Sequence, residues 1–363
     1  MTFANSSKSK SRLIALSLVA LLGGCANLGY YAQAVNGHSS IHSRIRPIHT
    51  VIADPQTDPR VKHSLSLVVK LREFAVRKLK LPDNQSFTAY ADLGRRYAIW
   101  NVSATPELSL ESEKWCFVAV GCVSYRGFFS ETEANRFADD LRSKGYDVSV
   151  GGVRTYSTLG WFKDPVLNTF LGYSDNELAQ LIFHELAHQV VYVRDDSTFN
   201  ESFATAVELE GITQWLKEHG TEKQRALFVT TQERKAASAV LMLDYRKRLE
   251  ELYASGQSDD EKRAGKAHIF AELREKMSSL VAEKARASYD RWLEQHLNNA
   301  HFASISTYTQ LVPAFRSLLA QHGGNMDRFY AAVRELGRLS VAERSALLHG
   351  MDAGSQSASN IVP

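Results

Sequence analysis

The sequence predicts an α+β fold that is predominantly helical, and three patterns carry that prediction. Alternating apolar and polar residues are confined to a stretch between about 85 and 158. Serine-x-x-glutamate starts recur at Ser130, Ser174 and Ser258, each ahead of an amphipathic run, the signature of a capped helix. From Glu222 almost to the end, the apolar spacing is helical throughout.

The chain opens with Lys8, Lys10 and Arg12, an apolar run from Leu13 to Leu22, and Leu22-Gly23-Gly24-Cys25. This order of charge, apolar run and small residues before a cysteine resembles a bacterial lipoprotein signal. The run is too short for a membrane-spanning helix, which needs about 20 residues. Residues 1–24 therefore read as a signal peptide that is removed, with lipid attached to Cys25 as a membrane anchor. By resemblance to lipoprotein sorting, Ala26 rather than Asp after the cysteine favours the outer membrane, so the expected location is the periplasmic face of the cell envelope. Lys8, Lys10 and Arg12 account for the whole excess of basic over acidic side chains, 43 against 40. The mature chain has balanced charge, and nothing in it suggests a nucleic-acid partner.

Residues 25–82 read as a helical segment, with Leu65, Val68, Val69, Phe74, Val76 and Leu79 on a basic amphipathic stretch that ends at Pro82. An α+β core follows over 83–220. Its strands are Phe87 to Tyr90, Tyr97 to Val102 and Asp147 to Tyr156, and a helix runs from Ser130 to Lys144 with Gly145 as its stop. Val148 to Tyr156 is a candidate edge strand for a peptide backbone to join, with a plain core strand as the alternative. With Cys25 lipidated, only Cys116 and Cys122 remain, and an oxidising compartment pairs them. A loop that short contributes about 2 to 3 kcal/mol in the chain-entropy model.

Ser174-x-x-Glu177 opens a buried helix, expected over 175–193, that carries His184-Glu185-Leu186-Ala187-His188. At about 100° per residue, His184, Glu185 and His188 project from one face. Two imidazoles so placed can share one metal ion, and Glu185 can take a proton from water at an open coordination position. A third ligand is required. Ser197 or Asn200 can cap a second helix running to about Glu218, with Glu201 in its first turn as the carboxylate ligand. Thr205 and Glu208, further along the same face, are expected to orient the histidines. Asp195 and Asp196 read as solvated turn formers.

Downstream, Glu222 to Ala254 and Glu261 to Leu297 form a long antiparallel helical hairpin across 221–300. The C-terminal helices, within 301–354, are Thr307 to His322 and Asn325 to Leu336, split by Gly323-Gly324. Residues 355–363 read as a disordered tail.

Several stretches together carry a family resemblance. They are Gly24-Cys25, Tyr30-Tyr31-x-Gln33-Ala34, Trp100-Asn101-Val102, Trp115-Cys116-Phe117, Gly121-Cys122-Val123 and Val150-Gly151-Gly152-Val153. Around the histidines come Leu159-Gly160-Trp161-Phe162, Asp164-Pro165, Ile182-Phe183-His184-Glu185-Leu186-Ala187-His188-Gln189 and Phe199-Asn200-Glu201-Ser202-Phe203-Ala204-Thr205, with Val312-Pro313-Ala314-Phe315 near the end. The chain resembles the putative aminopeptidase lipoprotein family of Gram-negative bacteria. The resemblance implies a zincin-like catalytic core of the gluzincin type, with a small mixed sheet before the histidine helix, and zinc held by His184, His188 and Glu201. The activity implied is hydrolysis of peptide substrates, removing N-terminal residues. An envelope endopeptidase and a non-catalytic, metal-stabilised binding module are the alternatives. A hydrogen-bond donor for the oxyanion is also needed, and Tyr308 leads Tyr156 and Tyr192 as candidates.

Overall fold

A computed structural model describes residues 29–117, 121–302 and 310–359. The molecule is mostly helical with small sheets. The elements are α1 (29–42), β1 (Ile45–Pro47), α2 (Ile48–Ala53), α3 (Pro59–Leu79), β2 (Ala89–Ala91), β3 (Ile99–Pro106), β4 (Trp115–Phe117), β5 (Gly121–Val123) and β6 (Arg126–Phe128). They continue as α4 (Glu131–Ser143), β7 (Tyr146–Val153), β8 (Val166–Leu167), α5 (Asp175–His188), α6 (Ser197–His219), α7 (Glu222–Ala254), α8 (Asp259–Ser279) and α9 (Glu283–His296). The last three are α10 (Val312–Gln321), α11 (Met326–Arg338) and α12 (Val341–Ser359).

Helix α3 shows how local chemistry sets the elements. Asp58 accepts from the Arg60 N–H, Pro59 occupies the first turn, and Lys80 ends the helix in the left-handed region at φ 55. Leu65, Val68, Leu71, Phe74 and Leu79 lie on its buried face. That face packs on α5 and α6, and α10 and α11 close the same core with Phe315 and Phe329. The helices before the sheets and those after the hairpin thus share one core with the histidine helix.

The small mixed sheet expected ahead of α5 is accompanied by a second three-stranded sheet and a two-stranded hairpin. One sheet has the order β1-β2-β8, with β1 antiparallel and β8 parallel to β2. The other is antiparallel throughout, order β6-β3-β7, and β4 pairs with β5 alone. Strands of two or three residues bury too little to show alternation in sequence. In the second sheet, Trp100, Val102 and Ala104 of β3 pack on Ala134, Ala138 and Leu141 of α4. Period two therefore turns Ile99, Asn101 and Ser103 to the opposite face.

Helices α7 and α8 make the expected hairpin, but the second arm is not continuous to 297. The chain turns at Leu280, Val281 and Ala282, and α9 folds back so that Leu293 and Leu297 join Tyr245, Leu249 and Leu273 in a third core. Burial outweighs helix continuation there. Helix α12 runs to Ser359, into the stretch expected to be disordered, and 360–363 lie outside the described residues. No helix among the described residues is long and apolar enough to cross a membrane. The signal segment and Cys25 fall outside them.

Candidate functional site

Helix α5 begins at the expected capping box: Ser174 accepts from the Glu177 N–H, and Glu177 accepts from the Ser174 N–H. It ends at His188, short of the expected 193. The N–H groups of Gln189 and Val190 bond back only three residues, to Leu186 and Ala187, which tightens the last turn. Asp195, at φ 65, then reverses the chain. His184, Glu185 and His188 therefore sit in the last two turns, beside the connection to α6.

The cap of α6 is Asp196 rather than Ser197 or Asn200: its carboxylate accepts from the Phe199 N–H at 3.0 Å. Arg344 on α12 grips the same carboxylate at 2.8 Å, and the guanidinium side chain is 4% exposed. Asp196 is thus a paired group under α12, not a solvated turn residue. Asn200 clamps the incoming loop, donating to the Val193 carbonyl and accepting from its N–H, both at 2.7 Å. These contacts fix the start of α6 and bring Glu201 over the end of α5.

His184 Nε2 lies 3.1 Å from His188 Nε2 and 3.2 Å from Glu201 Oε2, and His188 Nε2 lies 3.6 Å from the same oxygen. A tetrahedral ion bonded at about 2.0 to 2.1 Å holds its ligand atoms about 3.3 to 3.4 Å apart, so this triangle has the right size for one metal ion. Among the described residues these three form the one histidine, cysteine or carboxylate group so arranged. The site also favours positive charge at its centre. Burial opposes protonation of His184, but the carboxylates of Glu201 and Glu208 outweigh it and lift its pKa to about 10. Burial likewise opposes ionisation of Glu201, yet the two imidazoles hold its pKa down to about 2.

Glu208 bonds the other ring nitrogen of His184 at 3.1 Å and is itself held by the Gln180 amide at 2.5 Å. Thr205, expected to share this role, makes no hydrogen bond to either histidine. His188 Nδ1 is buried and has no partner among the described residues. Glu185 is buried, 9% exposed, and faces the same cavity as the three convergent side chains.

That cavity has a volume of about 370 Å³, and a second, wider cleft of about 810 Å³ adjoins it. Glu201, Tyr125, Asn101 and Val153 line both. The second runs past β7, an edge strand, to Trp292 and His296 of α9.

The tyrosines are placed unequally. Tyr308 lies outside the described residues. Tyr156 lines the cavity with its hydroxyl 3.3 Å from His38 Nδ1, and Tyr192 lines it beside His188. Tyr125, which the sequence reading missed, stands at the junction of the two clefts. Although it is 38% exposed, atoms crowded round its hydroxyl disfavour the phenolate and push its pKa up, with the charges of Glu201 and Glu185 adding to the effect.

A disulfide hairpin delivers Tyr125. Cys116 and Cys122 are bonded across β4 and β5, and the Cys122 N–H donates to Asp195 Oδ1 at 2.6 Å. Gly121, at φ +78, permits this approach, since a Cβ there would stand 2.2 Å from that oxygen. The only sequence signal for Tyr125 was its position three residues after Cys122.

A family model described as "Putative aminopeptidase" matches residues 29–348. No curated protein and no solved structure matches the chain.

Proposed function

The chain belongs to the putative aminopeptidase family, and on that basis we propose that it is a zinc-dependent peptidase of the gluzincin type. The observation that carries the reading is the triangle of His184, His188 and Glu201, with Glu185 facing the same cavity. Two neutral imidazoles and a carboxylate form a donor set suited to catalytic zinc, and structural zinc normally takes four protein ligands. A zinc ion held there supplies Lewis acidity, which makes water more acidic and polarises a carbonyl.

The chain's own groups supply the rest. Glu185 takes the proton of the attacking water and passes it to the leaving amine. Tyr125 donates a hydrogen bond to the oxygen that gains charge in the transition state. Glu208 accepts from His184 Nδ1–H, which leaves Nε2 free to bind metal. The family description points to removal of N-terminal residues. The cleft continuing beyond Glu201 along β7 supports a second reading, cleavage within longer peptides.

We place the mature chain on the periplasmic face of the outer membrane, held by lipid on Cys25. The charged start, apolar run and small residues before Cys25 support this placement. Incorporation of labelled fatty acid, lost in Cys25→Ala, tests it.

Comparing one peptide in free and N-blocked forms tests the activity. The purified chain should bind about one zinc and release amino acids from the free form. Cleavage of both forms selects the endopeptidase reading. Glu185→Gln should keep the metal and lose turnover. A zinc-loaded chain inert toward both forms across a broad library would remove the proposal.

A further inference from the structure

The cavity beside the triangle is lined by both charged and aromatic side chains. His184, Glu185, His188 and Glu201 are, among the described residues, the only charged or imidazole side chains that line it. Much of the remaining lining is aromatic or aliphatic, with Asn101, Thr155, Ser157, Ser197 and Asn200 as polar residues among it. Tyr30 packs on Phe117 at 5.3 Å between ring centroids, Phe129 on Tyr156 at 5.2 Å, and Val153 and Leu159 complete the wall. Arg126 stacks on the Tyr30 ring at 4.1 Å, and Arg95 donates to the Phe129 carbonyl at 2.8 Å, but neither lines the cavity.

Asn101 sits where the cavity meets the second cleft. Across the sheet it is paired with Gly127 on β6 and Gly151 on β7, so no side chain flanks it on either neighbouring strand. A Cβ at Gly127 would approach Asn101 Oδ1 to 3.3 Å. That oxygen is buried and has no donor among the described residues. A buried acceptor without a donor is costly, and polar groups left so in native proteins call for a partner. Gly127 and Gly151, its partners across the sheet, have no side chain to supply one.

We propose that the aromatic cavity is the side-chain pocket for a bulky apolar residue of the substrate peptide, and that Asn101 accepts a hydrogen bond from a peptide N–H beside it. This rests on the peptidase reading and specifies its substrate class: peptides with phenylalanine, leucine or a similar residue next to the bond cut. An acidic side chain would meet the carboxylates of Glu185 and Glu201, and a basic one would exchange water for rings. Gly127 and Gly151 let the substrate backbone approach β3 closely, as a side chain at either position would not.

Binding tests this apart from hydrolysis. Full-length Glu185→Gln, loaded with zinc, is titrated calorimetrically with X-Ala-Ala-Ala-Ala, where X, beside the bond that N-terminal trimming would cut, is Phe, Leu, Lys or Asp. The Phe and Leu peptides should bind at least about tenfold more tightly than the Lys and Asp peptides, in line with the difference one well-filled apolar pocket makes. Adding Asn101→Leu should weaken the Phe peptide about tenfold, and Asn101→Asp, which keeps an acceptor, should weaken it less. If Asn101→Leu does not fold, Gly127→Ala serves, because its methyl crowds the same oxygen and should also weaken binding. Equal affinity for all four peptides, no binding of any, or affinity unmoved by Asn101→Leu and Gly127→Ala would overturn the proposal. A chain that binds the Phe peptide selectively while its wild type cuts nothing refutes the peptidase reading and leaves the pocket standing. Hydrolysis that ignores X refutes the pocket alone.

Discussion

His184 Nδ1 stands 3.1 Å from Glu208 Oε2, so a carboxylate two turns past Glu201 on α6 decides which ring nitrogen faces the centre of the site. Partners of this kind typically carry 10 to 100-fold in metal affinity. Glu208→Ala should therefore weaken zinc binding by about that range, whereas Thr205→Ala, which hydrogen-bonds to neither histidine, should leave it unchanged. Competition with a chromophoric chelator measures both, and equal affinities would strip Glu208 of its orienting role.

Metal binding should release a proton at neutral pH. In the metal-free chain His184 titrates at about 10 instead of 6.5, so it is charged at pH 7, and an incoming ion must displace that proton. Apparent zinc affinity should then rise about tenfold per pH unit between about pH 7 and 9. The same shift makes a stability statement. A raised histidine pKa contributes fully below 6.5 and is lost as pH climbs through about 10, so the metal-free chain should weaken over that window. Glu201 works at the other end, contributing above 4.5 and losing its contribution as pH falls through about 2. Calorimetry in two buffers of different ionisation enthalpy reads the proton directly. Identical heats in both would contradict the charge state assigned to His184.

Tyr125→Phe should lower kcat by about 10²-fold with little change in KM, the mark of a donor used only in the transition state. Tyr156→Phe should do much less, because that hydroxyl already faces His38. The experiment requires a cleaved peptide and is read from steady-state kinetics of both variants. A KM effect without a kcat effect would place Tyr125 in substrate binding instead.

What the sequence made legible was local. His184 and His188 are one helical turn apart, Ser174 and Glu177 announce their helix, and Glu201 and Glu208 share a face of the next one. Tyr125 was not legible, because its approach to the site depends on Cys122 meeting Asp195, 73 residues away in sequence. The end of α8 was hidden for a related reason. No glycine or proline marks Leu280 to Ala282, and the turn exists because Leu293 and Leu297 find a core by folding back. The cap of α6 was misplaced by one residue from Ser197, since nothing in the local sequence shows that Arg344 will hold Asp196.

Replacing Cys116 and Cys122 together by serine should cost stability and activity in separable amounts. Losing the short closed loop removes about 2 to 3 kcal/mol in the chain-entropy model, seen as a lower denaturation midpoint. The activity loss has another origin, since the hairpin that docks on Asp195 also carries Tyr125. Turnover should fall even under conditions where the variant is fully folded, while zinc affinity stays near that of the parent. A variant with lower stability but unchanged kcat would show that Tyr125 is held without the disulfide.

Gly211 tests whether the site depends on the close approach of α6 to its neighbours. A Cβ there would stand 2.6 Å from Phe183 Cδ2 and 2.7 Å from Leu79 Cδ1, well inside contact distance. Phe183 immediately precedes His184, so a methyl at 211 pushes on the helix that holds both imidazoles. Overpacking of this kind costs about 1 to 3 kcal/mol, and alanine's better helix propensity returns up to about 1 kcal/mol. Gly211→Ala should be destabilised by about 1 to 2 kcal/mol net and should also bind zinc more weakly, because separating α5 from α6 pulls Glu201 and Glu208 away from His184 together. Lys217→Ala, an exposed change on the same helix, is the control and should alter neither quantity. Weaker folding with unaltered zinc affinity would mean that the ligand triangle tolerates a shift of α6, and that its geometry is set by the loop clamp at Asn200 alone.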